Sequence, residues 1–161
     1  MNKKIIVISN EAWSLLSLRG ELLKKMACYN LDVTTLSNSL NKDQFLKLKS
    51  IGVSSEAVKL SRNDFNLFND LKYFFTLILK YRDKNPNIIL AYTIKPVIWG
   101  GIASRFFKVD FYALITGLGF SFQGDSFRRK LLTKLVVFLY KVSSKKSQAI
   151  IFQDHDNRNT F

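Results

Sequence analysis

NIILAYTIKPVIWGGIASRFFKVDFYALITGLGFSF, residues 87–122, holds two apolar strands, Ile88–Tyr92 and Phe111–Ile115, each broken off by small polar or glycine residues. A helix from Pro96 to Phe107 fits between them, and proline suits a first helical turn because its missing N–H is not needed there. Strand, helix and strand joined by short loops make parallel strands with a right-handed crossover. In an open parallel sheet, ligands bind outside the carboxyl ends of the strands. The strand ends Ala91-Tyr92-Thr93-Ile94-Lys95-Pro96 and Thr116-Gly117-Leu118-Gly119 are therefore expected to share one cleft, half of an active site.

The alternation continues on both sides of this segment. Toward the N-terminus, Ile5–Ile8 is a short β-branched run stopped by Ser9-Asn10, as suits a strand buried on both faces. A helix is expected from Ala12 to Ala27, with Leu15, Leu18, Leu22 and Met26 on one stripe. Leu31–Leu36 reads as the second strand, Lys42–Ser50 as a helix closed by Gly52, and Ala57–Leu60 as a weak third strand. A long helix from Asn69 to Asp83 ends before Pro86. Toward the C-terminus follow a helix from Phe127 to Ser144 and a sixth strand, Ala149–Phe152. The expected fold is α/β, a doubly wound parallel sheet of about six strands with helices on both faces, in a single domain. The last residues, Asp154–Phe161, read as the first turn of another helix.

A chain of 161 residues supports one core of ordinary size, and 47% hydrophobic with 14% aromatic residues is well clear of disordered composition. The net charge of +13, from 25 Lys+Arg against 12 Asp+Glu, favours anionic partners: nucleic acid, phosphorylated metabolites or an acidic membrane. The one cysteine, Cys28, is expected as a small buried residue in a reducing compartment. Ile5–Ile8 is too short for a signal-peptide core, and no apolar run approaches a spanning helix. The expected location is cytoplasmic, with peripheral contact at the inner face of the plasma membrane left open.

Gly117-Leu118-Gly119 follows a strand, but Phe122 stands where a dinucleotide fingerprint needs its third glycine, and the first strand is followed by Ser9-Asn10-Glu11-Ala12-Trp13 without any glycine. NAD binding is not expected. The two glycines fit a tight turn, and equally a loop whose backbone N–H groups approach an anion. Lys95-Pro96 has the look of a phospho-receiver's Lys-Pro, yet the acidic residues a receiver requires are replaced by Asn10-Glu11 and Ser61-Arg62. Lys95 is either a solvated lysine or, inside the cleft, a phosphate contact. His155, the only histidine, has no ligand cluster around it, so no metal is expected, and no Gly-Lys-Ser/Thr phosphate loop is present.

Residues 126–146 hold seven basic residues and no acidic one. Lys130, Lys134, Lys141 and Lys145 fall within about a 60° arc of a helix whose other side is apolar. This is an ordinary covering helix or a membrane-surface face, with Phe120, Phe122, Phe127, Arg128, Arg129 and Lys130 as the candidate membrane contacts.

Four segments in order carry a resemblance: Ile8-Ser9-Asn10 with Trp13 and Arg19; Ala91–Pro96; Ile115-Thr116-Gly117-Leu118-Gly119 with Phe122; and Ile151-Phe152-Gln153-Asp154. Together they resemble the N-terminal half of family 4 glycosyltransferases of the GT-B type, those that assemble capsule, O-antigen and related bacterial surface polysaccharides. The resemblance implies a Rossmann-like, acceptor-side domain facing a C-terminal nucleotide-sugar domain across a cleft. It implies an acceptor glycan on polyprenyl diphosphate, retention of configuration, and neither metal nor other cofactor. Asn10, Trp13, Arg19, Thr93, Lys95, Thr116, Gly117 and Gly119 are the expected acceptor-binding residues.

The donor-side half of that family, with its Glu-rich motif, has no counterpart in these 161 residues. The expectation is a chain cut just beyond the domain boundary, whose donor domain is separately encoded or lost. Without a donor site proximity catalysis has no second substrate to orient. The alternative is a non-enzymatic basic binding module, or an inactive remnant, docking on membrane or nucleic acid. No recognition motif supports nucleic acid.

Overall fold

The apolar run at the N-terminus becomes the centre of a six-stranded sheet. In the computed structural model, which describes residues 2–60, 66–116 and 127–153 (backbone only for 127–133), the chain forms β1 (Lys4–Glu11), β2 (Asp32–Asn38), β3 (Ser54–Ala57), β4 (Ile88–Tyr92), β5 (Asp110–Ile115) and β6 (Ala149–Phe152). Every pairing is parallel, in the order β3-β2-β1-β4-β5-β6. The order reverses direction between β1 and β4, so the point at which an α/β sheet opens a crevice lies there.

Alternation along β1 separates the two cores. Ile5 and Val7 face a layer made by α1 (Ala12–Ser17), α2 (Gly20–Cys28) and α3 (Lys42–Ser50), with Leu15, Leu23 and Leu48 buried against them. Ile6 and Ile8 face the opposite layer of α4 (Leu67–Lys84), α5 (Ile94–Ser104) and α6 (Phe127–Ser144), where Leu77, Tyr81, Val97 and Tyr140 are buried. This is the doubly wound arrangement expected of near-continuous apolar strands. α5 is sandwiched between α4 and α6, and that explains Gly101: a Cβ there would lie 2.9 Å from Phe111 Cε1 and 2.9 Å from the Ser143 carbonyl oxygen.

Several expectations are corrected. The helix expected over residues 12–27 is two, because Leu18 and Arg19 break it and Leu23 N–H restarts the ladder on the Arg19 carbonyl, 2.9 Å away. Leu18 and Leu22 are consequently exposed, and Leu15 and Leu23 take the buried positions. Cys28 is exposed rather than buried, because it lies five residues, about 140° of helix, beyond Leu23. The third strand comes earlier than expected, over polar Ser54–Ala57, as an edge strand; Val58 and Leu60 beyond it are the buried residues. α5 begins at Ile94 rather than Pro96, whose missing N–H still falls among the first four unpaired donors.

No helix of the described residues is long and apolar enough to cross a membrane. Gly117, Gly119, Phe120, Phe122 and His155 lie outside the described residues, as does the helical turn expected over 154–161. Phe127, Arg128, Arg129 and Lys130 start α6, and their side chains also lie outside the description.

Candidate functional site at the β1/β4 crevice

The crevice is built where β1 and β4 end side by side. Ile8 pairs with Ala91, and continuing that register sets Asn10 beside Thr93. A bulge between Ile8 and Glu11 in the pairing with β2 turns the end of β1 out of the regular ladder. Ser9 follows Val7 onto the α1 face and ties the turn down: its hydroxyl accepts from Glu11 N–H at 3.2 Å and lies 2.9 Å from Ser14 Oγ. Ser14 donates to the Glu11 carbonyl at 2.7 Å and sits 3.4 Å from the Tyr92 hydroxyl. The Tyr92 hydroxyl is pushed up by burial, against the hydrogen bonds of Ser14 and Ser9 and the charge of Arg19, and stays neutral.

Arg19 lies across the strand ends from the break between α1 and α2. Its guanidinium is 5.5 Å from the Tyr92 ring centroid, and Nη2 donates to Gln153 Oε1, just past β6, at 2.9 Å. Nη1 donates to the Leu18 carbonyl at 3.1 Å, while Nε is buried with no partner among the described residues. Asn10 Oδ1 and Thr93 Oγ1 are orphaned in the same way. Buried polar atoms without partners cost about 1–3 kcal/mol each, and three of the seven such side-chain atoms among the described residues stand at this crevice.

Thr93 carries a second anomaly. Its backbone sits at φ +71, ψ 158, a region in which residues other than glycine are strained by about 1–3 kcal/mol. This residue turns β4 into α5, and its side chain makes no capping bond, so the first turn of α5 presents uncapped N–H groups. Trp13, on α1, is 51% exposed and offers an open indole face. Thr116, after β5, is half-buried at the neighbouring strand end.

Lys95 is placed otherwise than expected. It is neither a solvated lysine nor open to the crevice: only 5% exposed, its Nζ donates to Asp70 Oδ1 of α4 at 2.8 Å, and Asp70 is 6% exposed. An anion reaching that ammonium would have to compete with a carboxylate already in place. Sequence reasoning missed Tyr92 and Gln153 as the groups that position Arg19, and Ser14 as the group beside the Tyr92 hydroxyl. The alternation that sends Val7, and hence Ser9, toward α1 was the available signal for the serines. Among the described residues no three His, Cys, Asp or Glu are grouped to hold a metal ion.

The sequence model of the family described as "Glycosyl transferase 4-like" matches residues 4–154, from the first residue of β1 to just past Gln153. The chain belongs to this glycosyl transferase 4-like family. Among curated proteins it is similar to the N,N'-diacetylbacillosaminyl-diphospho-undecaprenol alpha-1,3-N-acetylgalactosaminyltransferase of Campylobacter jejuni, 30% identical over 112 residues, which are 69% of this chain and 30% of that protein. Among solved structures it resembles MurG of Acinetobacter baumannii, with TM-score 0.63 and 14% identity over 99% of this chain and 42% of MurG. The UDP-GlcNAc 2-epimerase of Methanocaldococcus jannaschii is similar at TM-score 0.60 and 13% identity, over 99% of this chain and 41% of the epimerase. At these identities the two structures speak for the fold alone. The chain spans 30% of the length of its curated relative and 41–42% of the two solved neighbours. The six-stranded parallel sheet is the frame that this family member shares with both solved neighbours.

Proposed function

We propose that this chain is the acceptor side of a glycosyltransferase, holding a glycan on polyprenyl diphosphate while a second Rossmann-like domain presents the nucleotide-sugar. The observation that carries this reading is the gathering of Asn10 Oδ1, Arg19 Nε and Thr93 Oγ1, all buried and unpartnered among the described residues, at the sheet's switch point. A sugar hydroxyl donates to Asn10 and exchanges with Thr93, and Arg19 with the uncapped start of α5 faces the diphosphate. Trp13 supplies an apolar platform for a pyranose ring. Thr116 extends the acceptor wall from the β5 side, Gly117 and Gly119, outside the described residues, join the proposal on the resemblance alone, and Lys95 contributes indirectly, by fixing the start of α5. The Campylobacter relative's name, which includes a diphospho-undecaprenol acceptor, supports the lipid carrier, and the basic balance of the chain supports an anionic one.

Such a site discriminates strongly, because an analogue lacking the matching hydroxyl leaves buried polar groups unpaired. The finer assignment is to assembly of a bacterial surface polysaccharide of the capsule or O-antigen kind, at a membrane surface. The test is equilibrium binding of a detergent-solubilised polyprenyl-diphosphate glycan to the full chain, together with transfer from nucleotide-sugars in the presence of a donor-side domain. Arg19→Ala is expected to weaken acceptor binding about 10- to 100-fold, as loss of a charge-assisted contact of about 1.5–3 kcal/mol does. Equal binding by wild type and Arg19→Ala, or no binding by either, would sink the reading.

A further inference from the structure

α4 is more apolar than its place in the fold requires. A helix covering a sheet needs a stripe of little more than about 100°, yet the apolar residues of α4 extend around about 240° at roughly 100° per residue. The inner half is used: Tyr73, Leu77 and Tyr81 are buried, and Phe74 and Ile78 pack partly against the core. The outer half is not. Leu67, Phe68, Leu71, Phe75 and Leu79 are 40–77% exposed and follow one another along the length of the helix. Phe74 extends the surface toward α5 through an edge contact with Phe106, which is itself exposed. A contiguous apolar face of this length marks an interaction surface rather than scattered exposure.

Charge decides what covers it. Arg82 lies within the apolar arc and Lys72 at its edge, and exposed Arg105 and Lys108 flank Phe106. Among the described residues of α4 and α5 the one exposed acid is Asp83, 3.8 Å from Lys84 Nζ. Leucines and phenylalanines bordered by basic residues suit the head-group boundary of an anionic bilayer. A second copy of the chain is opposed by the +13 that each would bring. We infer that the outer face of α4 is the surface on which this protein lies against an anionic membrane.

The geometry joins this surface to the crevice. Helices between parallel strands run back from the carboxyl edge of the sheet, so Leu67 and Phe68, at the start of α4, stand at the crevice end. The Asp70–Lys95 pair ties that first stretch of α4 to the first turn of α5, which follows Thr93. Docking on α4 thus brings the crevice rim to the height of lipid head groups; that consequence, unlike the surface itself, rests on the proposed function.

The test is co-sedimentation of the full chain with phosphatidylglycerol or phosphatidylcholine vesicles carrying no acceptor. Wild type is expected to bind the anionic vesicles preferentially, and Phe75→Ser/Leu79→Ser to lose at least about tenfold in affinity. Leu46→Ser, an equally exposed change on α3 of the opposite layer, leaves binding as it was. A second measurement uses no disruptive change: a polarity-sensitive dye at Leu79→Cys in a Cys28→Ser background shifts to the blue on anionic vesicles, and the same dye at Leu46→Cys does not. Vesicle binding by Phe75→Ser/Leu79→Ser equal to wild type, or no dye shift at residue 79, overturns the inference. So does a wild-type dimer that this double variant makes monomeric, since the face would then belong to self-association. Binding of detergent-solubilised acceptor by the double variant stays at the wild-type level, which separates failure of this surface from failure of the acceptor site.

Discussion

Thr93 concentrates the conflict between stability and use at the residue scale. A threonine at φ +71 with a buried, unpartnered hydroxyl is unfavourable twice over, whereas glycine relieves both penalties. Thr93→Gly is expected to raise stability by about 1 kcal/mol, read as a higher urea midpoint, while weakening acceptor binding. A variant neither more stable nor weaker in binding would remove Thr93 from the site. Lys95 behaves oppositely. Lys95→Met strands the Asp70 carboxylate in the interior and is expected to lower stability by about 3–5 kcal/mol, and Lys95→Met/Asp70→Leu recovers most of it. If the double variant is no better than the single, the pair is not what Lys95 serves. Sequence placed Lys95 correctly at a strand end, but its partner lies 25 residues earlier on another helix, a relation no local spacing encodes. Asn10 and Thr93 were legible as polar residues at strand ends and Arg19 through the family resemblance; that their atoms lack partners among the described residues belongs to the packing.

Elements show how far local pattern carries. β1 and β4 were readable because burial on both faces demands unbroken apolar runs, and the end of α4 because Pro86 follows Asn85, at φ 46; its start lies at Leu67, behind the Asn66 cap, two residues before the expected Asn69. The α1/α2 break was not readable: Leu15, Leu18 and Leu22 are spaced for one helix, and tertiary burial of Leu23 overrides them. β3 was displaced for a related reason, since an edge strand of Ser-Ser-Glu-Ala has no apolar signature. What holds β3 to α4 is Glu56, which accepts from Lys80 at 2.5 Å and Lys84 at 2.6 Å. Burial raises the Glu56 carboxyl, the two lysines outweigh it, and its ionisation falls below the ordinary range. A depressed folded-state value stabilises the protein above the unfolded carboxylate range and is lost as pH falls through the folded one. Glu56→Gln is therefore expected to remove at most about 1 kcal/mol at neutral pH and to flatten the acid limb of the stability profile; an unchanged limb contradicts this. In α5, Gly101→Ala drives a methyl into Phe111 and the Ser143 backbone and is expected to lower stability by about 1–3 kcal/mol. Gly20→Ala in α2, with nothing within 4 Å, is tolerated or slightly stabilising.

For the whole molecule, charge and topology act together. The parallel order puts all six carboxyl ends on one edge, and the chain's +13 draws anions toward it at a range that salt shortens, since the screening length is about 10 Å at 0.1 M. A ligand that binds only the folded chain must raise its stability, by about 2.7 kcal/mol at a hundred times its dissociation constant. For a chain of 161 residues that corresponds to a melting temperature higher by roughly 5–10 °C. A polyprenyl-diphosphate glycan in detergent is expected to produce this shift, and raising the salt to shrink it. The same sugar without the diphosphate is expected to give a smaller one, because Arg19 and the start of α5 then face nothing anionic. NAD is expected to give none, since no glycine-rich turn follows β1 to take its pyrophosphate. A salt-insensitive shift, or one equally large with the free sugar, would assign recognition to the glycan alone and take the diphosphate away from Arg19.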